Sequence, residues 1–155
     1  ILGAKLVRGA YMEKERARAQ RLGYPSPIQP DKASSDRDYD AAVAFCVKHH
    51  QGIASCVGSH NEQSTRYQMA LMEAPNIPRN HPHLTLCLLY GMSDHLTFKL
   101  AKAGYNVSKY VPYGPVGDVV PYLIRRAQEN SSVNGEVGRE LKMLQKELRR
   151  RRADS

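Results

Sequence analysis

Leu84-Thr85-Leu86-Cys87-Leu88-Leu89 followed by Tyr90-Gly91-Met92-Ser93 is the stretch whose reading decides the fold. Its first six residues are apolar except for Thr85. The run is short for a helix and too continuous for a strand with one wet face. It therefore reads as a strand buried on both faces, of the kind found in parallel sheets covered by helices. The run stops at Tyr90-Gly91-Met92. Ser93 then stands as a cap before a helical pattern to about Ala103, which Gly104 terminates. Three other runs share this plan, namely Ala4–Val7, Ile53–Val57 and Asn106–Val111. Helical patterns follow each of them, over Met12–Leu22, Glu62–Glu73 and Val116–Asn130. A further helix is expected over Asp36–His50, after the Pro-rich loop Tyr24–Pro30.

The chain thus reads as βα repeated four times, which fits either a doubly wound sheet or part of a (βα)8 barrel. Polar and small residues separate the two. They follow every strand, as Arg8-Gly9-Ala10-Tyr11, Gly58-Ser59-His60-Asn61, Tyr90-Gly91-Met92 and Tyr110 to Gly114. A barrel builds its site from all its strand ends, whereas a doubly wound sheet concentrates it at one switch point. No G-x-G-x-x-G loop is present, so the barrel is favoured. Residues 1–135 are assigned to it. Residues 136–155 are read as an amphipathic helix bearing Val137, Leu141, Leu144 and Leu148, ending in the basic tail Arg149–Arg152.

A net charge of +8 raises the question of nucleic acid. Much of that charge lies in the tail and the rest is interspersed with acids, without aromatic interleaving or a recognition motif. Nucleic-acid binding is therefore not expected, and an anionic membrane surface suits the tail better. No apolar run approaches the ~18 residues of a membrane-spanning helix. Cys46, Cys56 and Cys87 are widely spaced, which excludes a C-x-x-C site and suits buried thiols in a reducing compartment. His49-His50 and His81-Pro82-His83 are weak metal candidates, and no metal site is expected. The opening Ile1-Leu2-Gly3-Ala4-Lys5 lacks both an initiator Met and a signal-peptide pattern and reads as the interior of a longer polypeptide.

Three groups carry candidate chemistry. Tyr122, Arg125, Arg126 and Glu129 share one broad face of a helix by their spacing. Adjacent guanidiniums at a helix start are unfavourable unless an anion meets them, and their forks match a carboxylate. A solvated surface pair is the alternative, against which stands the tight aromatic turn Tyr110-Val111-Pro112-Tyr113-Gly114-Pro115 just before it. In the second group Lys5 lies within a strand that ends at Gly9-Ala10, where a planar ligand can approach the backbone. A buried lysine there would stabilise negative charge on a reduced ring, and a solvent-facing lysine is the alternative. Third, Ser59-His60-Asn61 reads as a set of hydrogen-bonders for a ribityl or phosphate group rather than a triad.

These strings resemble the proline dehydrogenase family. Lys5–Tyr11, Gly58–Asn61, Tyr90–Asp94, Lys109–Pro115 and Pro121–Asn130 occur in the family's order and cover nearly the whole chain. The resemblance implies the C-terminal half, about strands five to eight, of a distorted (βα)8 barrel that binds FAD and oxidises L-proline to Δ1-pyrroline-5-carboxylate. Electrons would pass to a quinone, in the bacterial cytoplasm at the inner membrane or on the matrix side of the mitochondrial one. The preceding half of the barrel would be needed as partner. It further implies Lys5 and Tyr110 as catalytic positions. Tyr11, Leu89, Tyr110, Tyr122, Arg125 and Arg126 would meet substrate. Lys5, Val7, Gly9, Ala10, Met12, Lys32, Ser59, His60, Asn61 and Glu129 would meet the cofactor. Two departures stand out. Leu88 occupies a position where many relatives carry Gln, and Gly58 replaces a commoner Ala, a small change. Hydroxyproline is the alternative substrate, against which Tyr110 argues. An interaction fragment without activity is the alternative role.

Overall fold

The computed structural model describes residues 1–132, 145–146 and 148–152, with side chains described to residue 126 and again at 145, 146 and 148–152. Two compact units are present, Ile1–Val111 and Pro112–Ser155.

In the first unit, β1 (Leu2–Leu6), β2 (Ile53–Gly58), β3 (Leu84–Leu89) and β4 (Val107–Tyr110) form one parallel sheet. Their spatial order is β1-β2-β3-β4, so each strand lies beside its successor in the chain. A doubly wound sheet reverses direction at a switch point, and this order has none. Between the strands run α1 (Met12–Leu22), α2 (Lys32–Lys48), α3 (Glu62–Glu73) and α4 (Asp94–Lys102). The protein is an α/β fold built on successive βα units.

The strand register sets two faces. Leu6, Val57, Leu86 and Val107 align across the sheet. They meet a core that includes Tyr39, Val43 and Val47 of α2, Met72 of α3, and Leu96 and Leu100 of α4. Leu84, Leu86 and Leu88 are each buried, a contribution of roughly 1.5–3 kcal/mol apiece by area burial. The opposite face carries Lys5, Cys56, Thr85, Cys87, Leu89 and Tyr110 and is partly open. Burial therefore alternates along β2 and most of β3. The expectation of strands buried on both faces is corrected: one face is packed under helices and the other is not. Lys5 is accordingly exposed, so its presence in a strand needs no buried counter-charge. Cys46 and Cys87 are buried but Cys56 is only half so.

Local signals account for most boundaries. Asn61 caps α3, its Oδ1 accepting from the Gln63 and Ser64 amides. Asp31 caps α2 through the Ser34 amide, and this starts the helix at Lys32, four residues before the expected Asp36. Gly23 closes α1 in the left-handed conformation that an L side chain resists. Ser93 precedes α4 but its side chain makes no cap bond. Its backbone carbonyl accepts from Leu96 and Thr97, while its hydroxyl points elsewhere.

The second unit contains α5 (Val116–Ser132), with Pro121 inside it. Arg125 and Arg126 are the tenth and eleventh of its seventeen residues, so they do not lie at a helix start. Of the C-terminal helix expected over 136–155, residues 145–146 and 148–152 are helical and exposed, and the rest lies outside the described residues. No described helix is long and apolar enough to cross a membrane.

Candidate active site

β1 and β4 are the two outer strands, which on a flat sheet would stand about 14 Å apart at ~4.8 Å per strand. Nevertheless the Lys5 ammonium sits 4.1 Å from the centroid of the Tyr110 ring. Two long side chains from opposite edges converge over the open face, which is therefore concave. Beneath them, Cys56 and Cys87 occupy neighbouring strands, and burial together with the adjacent Cys87 pushes the Cys56 thiol pKa up. A shallow cavity of about 420 Å³ opens toward the N-terminal ends of β1 to β3, lined by Gly3, Lys5, Ala54, Cys56, His83 and Thr85 among others, and it does not reach the C-terminal rim.

Gly58 ends β2 beside the end of β1. A Cβ there would stand 3.1 Å from Val7 Cγ1 and 3.2 Å from the Leu6 carbonyl oxygen. The backbone oxygen gives less readily than the Val7 side chain, so an alanine fits here only if the end of β1 shifts by a few tenths of an ångström. Leu88, the other departure, points into the helix-covered core and fills it. The missing polar group therefore leaves no gap on the open face.

At the C-terminal rim, side chains tie each βα loop to the next. From the end of β1, Arg8 donates to Ser59 Oγ at 2.7 Å and pairs with Asp36 at 2.6 Å. Its guanidinium lies 4.1 Å from the Tyr39 ring centroid. After β2, His60 Nδ1 meets Ser93 Oγ at 3.1 Å, reaching the loop after β3. In β4, Lys109 donates to the Met92 carbonyl at 2.6 Å and pairs with Asp94 at 2.6 Å, returning to that same loop.

Ser59, His60 and Asn61 thus each already serve the protein, as acceptor for Arg8, partner of Ser93 and cap of α3. They are brought to one rim, but not as three uncommitted donors. Gly9 adopts φ +72° with open space beside it, and Tyr11 adopts φ 59°, so the turn after β1 is left-handed twice within three residues. Ala10, Tyr11 and Met12 are exposed at this turn, Val7 is exposed just before it, and Leu89 is half-buried on the open face. Lys32, expected at the cofactor's far end, pairs with Asp36, the carboxylate that also holds Arg8.

In the second unit Tyr122 and Arg126 are half-buried, with the Arg126 guanidinium 5.4 Å from the Tyr122 ring centroid, and Arg125 is exposed. The Glu129 side chain lies outside the described residues. Among the described residues no group of three or more metal-ligating side chains is placed to hold an ion. Sequence reasoning placed Arg8 among the strand-end residues but gave no site role to it, nor to Asp36, Ser93 or Lys109. Arg8 lay inside the Lys5–Tyr11 string. Its partners are 28 and 51 residues away, which no local pattern reveals.

The family model for proline dehydrogenase matches residues 1–139. Mitochondrial proline dehydrogenase 1 of Caenorhabditis elegans is 44% identical over 154 residues, covering 96% of this chain and 25% of that protein. The human hydroxyproline dehydrogenase is also 44% identical, over 155 residues, covering 96% of this chain and 33% of that protein. Among solved structures, proline utilization A from Bdellovibrio bacteriovorus, inactivated by N-propargylglycine, superposes with a TM-score of 0.76 at 30% identity. That match covers 86% of this chain and 14% of the other. The chain spans about a quarter of the length of the first of these relatives. With its strings in order, its parallel sheet and a family match over nearly its whole length, this chain belongs to the proline dehydrogenase family.

Proposed function

We propose that the chain is the C-terminal half of a proline dehydrogenase barrel, holding FAD over the concave face of the sheet and oxidising L-proline to Δ1-pyrroline-5-carboxylate. The convergence of Lys5 and Tyr110 from opposite edges carries this reading. It supports both the curvature of a barrel segment and a site above the strand ends. The residues present suit the flavin. Gly9 leaves its side of the backbone open to a flat ring, and Lys5 offers positive charge on the same face. FAD, when bound, accepts the two electrons of the oxidation. Val7, Ala10 and Met12 would line it, with Ser59, His60 and Asn61 framing the rim, and Lys32 and Glu129 would also meet it.

Tyr11, Leu89 and Tyr110 would enclose the proline ring and exclude water. Tyr122 would support Arg125 and Arg126, whose guanidiniums would fix the substrate carboxylate as paired N–H donors. Holding the carboxylate fixes which ring carbon faces the acceptor, and position is what hydride transfer chiefly requires. Relatives whose names carry proline or hydroxyproline stand at the same 44% identity, which keeps hydroxyproline as the second reading. Tyr110 occupies the face that an added hydroxyl would meet, and this favours proline. The mitochondrial names among the relatives support a mitochondrial location, where a membrane quinone would receive the electrons.

The test is made on the complete polypeptide. Its visible flavin absorbance should bleach with L-proline under anaerobic conditions and respond weakly to hydroxyproline. A flavin-loaded protein that L-proline fails to bleach would end the assignment. Arg125→Met or Arg126→Met should raise KM, losing about 2–5 kcal/mol in kcat/KM. An unchanged KM for both variants would remove the carboxylate clamp.

A further inference from the structure

We propose that Arg8 is a positioning residue for cofactor binding, an inference that rests on the reading just given. Its guanidinium sets the Gly9-Ala10-Tyr11 turn against the β2 rim before any ligand arrives.

The side chain of Arg8 is four-fifths removed from solvent, with 19% relative exposure. One terminal nitrogen reaches Asp36 of α2, the other reaches Ser59 after β2, and the plane lies over Tyr39. Tyr39 in turn donates its hydroxyl to the Gly58 carbonyl at 3.3 Å. A single guanidinium therefore joins the ends of two strands and a helix. A lysine has one compact donor group and cannot reproduce this planar fork. The turn that Arg8 begins is exposed and contains two left-handed residues, one of them Tyr11. A left-handed conformation at a non-glycine residue persists only where its surroundings hold it. The adjoining helix α1 buries only Ala19 among the described residues and so offers little anchorage from the far side. The Tyr11 carbonyl accepts from the Glu15 amide at 2.9 Å, and Arg8 anchors the other end of the turn through Asp36 and Ser59.

The assignment also explains Asp36. The Lys32 hydrogen bond and the Arg8 charge keep its carboxyl below the ordinary range, so it is ionised and available to orient Arg8. Lys32 and Ser59, both implied to meet the cofactor, are then connected to each other through Arg8 and Asp36.

The test compares FAD dissociation constants of the complete polypeptide carrying Arg8→Met, Arg8→Lys or Ser59→Ala, measured by flavin fluorescence well below each apoprotein's unfolding temperature. Arg8→Met should weaken FAD binding on the order of tenfold to a hundredfold, the range expected when a supporting contact lets a site drift by about an ångström. Arg8→Lys should fall between Met and wild type, and Ser59→Ala should weaken binding less than Arg8→Met while leaving folding intact. Arg66→Met, which removes an outlying pair with Glu62, serves as the control for a surface ion pair and should leave affinity unchanged. FAD affinity within about twofold of wild type in Arg8→Met overturns the proposal, whatever Ser59→Ala does. Equal losses in Arg8→Lys and Arg8→Met, accompanied by equal losses of thermal stability, would also overturn it in favour of a merely structural contact. Wild-type protein that binds no FAD overturns the functional reading itself, and this inference with it.

Discussion

Tyr39 shows how one side chain links the core to the rim. Burial pushes its phenol pKa up to about 12 from an ordinary 10.0. The unfolded chain therefore ionises first, and stability that is whole below pH 10 should drain away as pH rises toward about 12. Denaturant midpoints measured across that window should fall, and Tyr39→Phe should flatten the slope. Asp36 works in the opposite sense. Lys32 and Arg8 hold its carboxyl below 3.8, so its contribution is present above that value and is lost as pH falls through the depressed one. Asp36→Asn should lower the midpoint at neutral pH and match wild type in strong acid. Gly58→Ala should cost about 1–3 kcal/mol, because its new methyl meets a carbonyl oxygen at 3.2 Å, and urea unfolding would measure it.

Among the elements, α4 separates packing from decoration. Leu100 is 3% exposed and Phe98 is 69% exposed on the same helix. Leu100→Ala should cost about 2–5 kcal/mol while Phe98→Ala stays within about 0.5 kcal/mol, by urea unfolding of the two variants. The helices were the most legible features of the sequence. α1 and α3 run from Met12 to Leu22 and from Glu62 to Glu73, as their helix formers indicate, whereas the Gly23 stop and the Asn61 cap were not read from the sequence. β3 was equally plain, since Leu84 to Leu89 is a closed apolar run. The start of α2 was obscured by the Pro-rich loop, where Asp31 was not recognised as a cap. Ser93 misled for a different reason. Its position is that of a cap, yet its hydroxyl is engaged by His60, 33 residues earlier. Half-open strands were also invisible, because an apolar run has the same letters whether one face or two are covered. Lys5 and Tyr110 could be named from their strings, but their meeting depends on sheet curvature, which no local pattern encodes.

At the scale of the molecule, the concave face and the two outer strands set the chain's behaviour. β1 and β4 each pair along one side only among the described residues, and the open face presents the half-buried Cys56 and Leu89. Unpaired edges and partly covered apolar surface promote association. Produced alone, residues 1–155 should bind a hydrophobic-surface dye and run larger than a monomer in size exclusion. On the half-barrel reading proposed above, supplying the preceding half in trans should suppress both effects. The strand order has a further consequence, for the sequence of events in folding. Paired positions lie 51 residues apart for Leu2 and Ile53, 29 for Ser55 and Leu84, and only 21 for Leu86 and Val107. Closing a shorter loop loses less chain entropy, and local pairings form sooner. Kinetic φ-values should therefore be highest in β3 and β4 and lowest in β1. Assembly would then begin at strands synthesised after β1, and the Arg8 contacts would be among the final ones made.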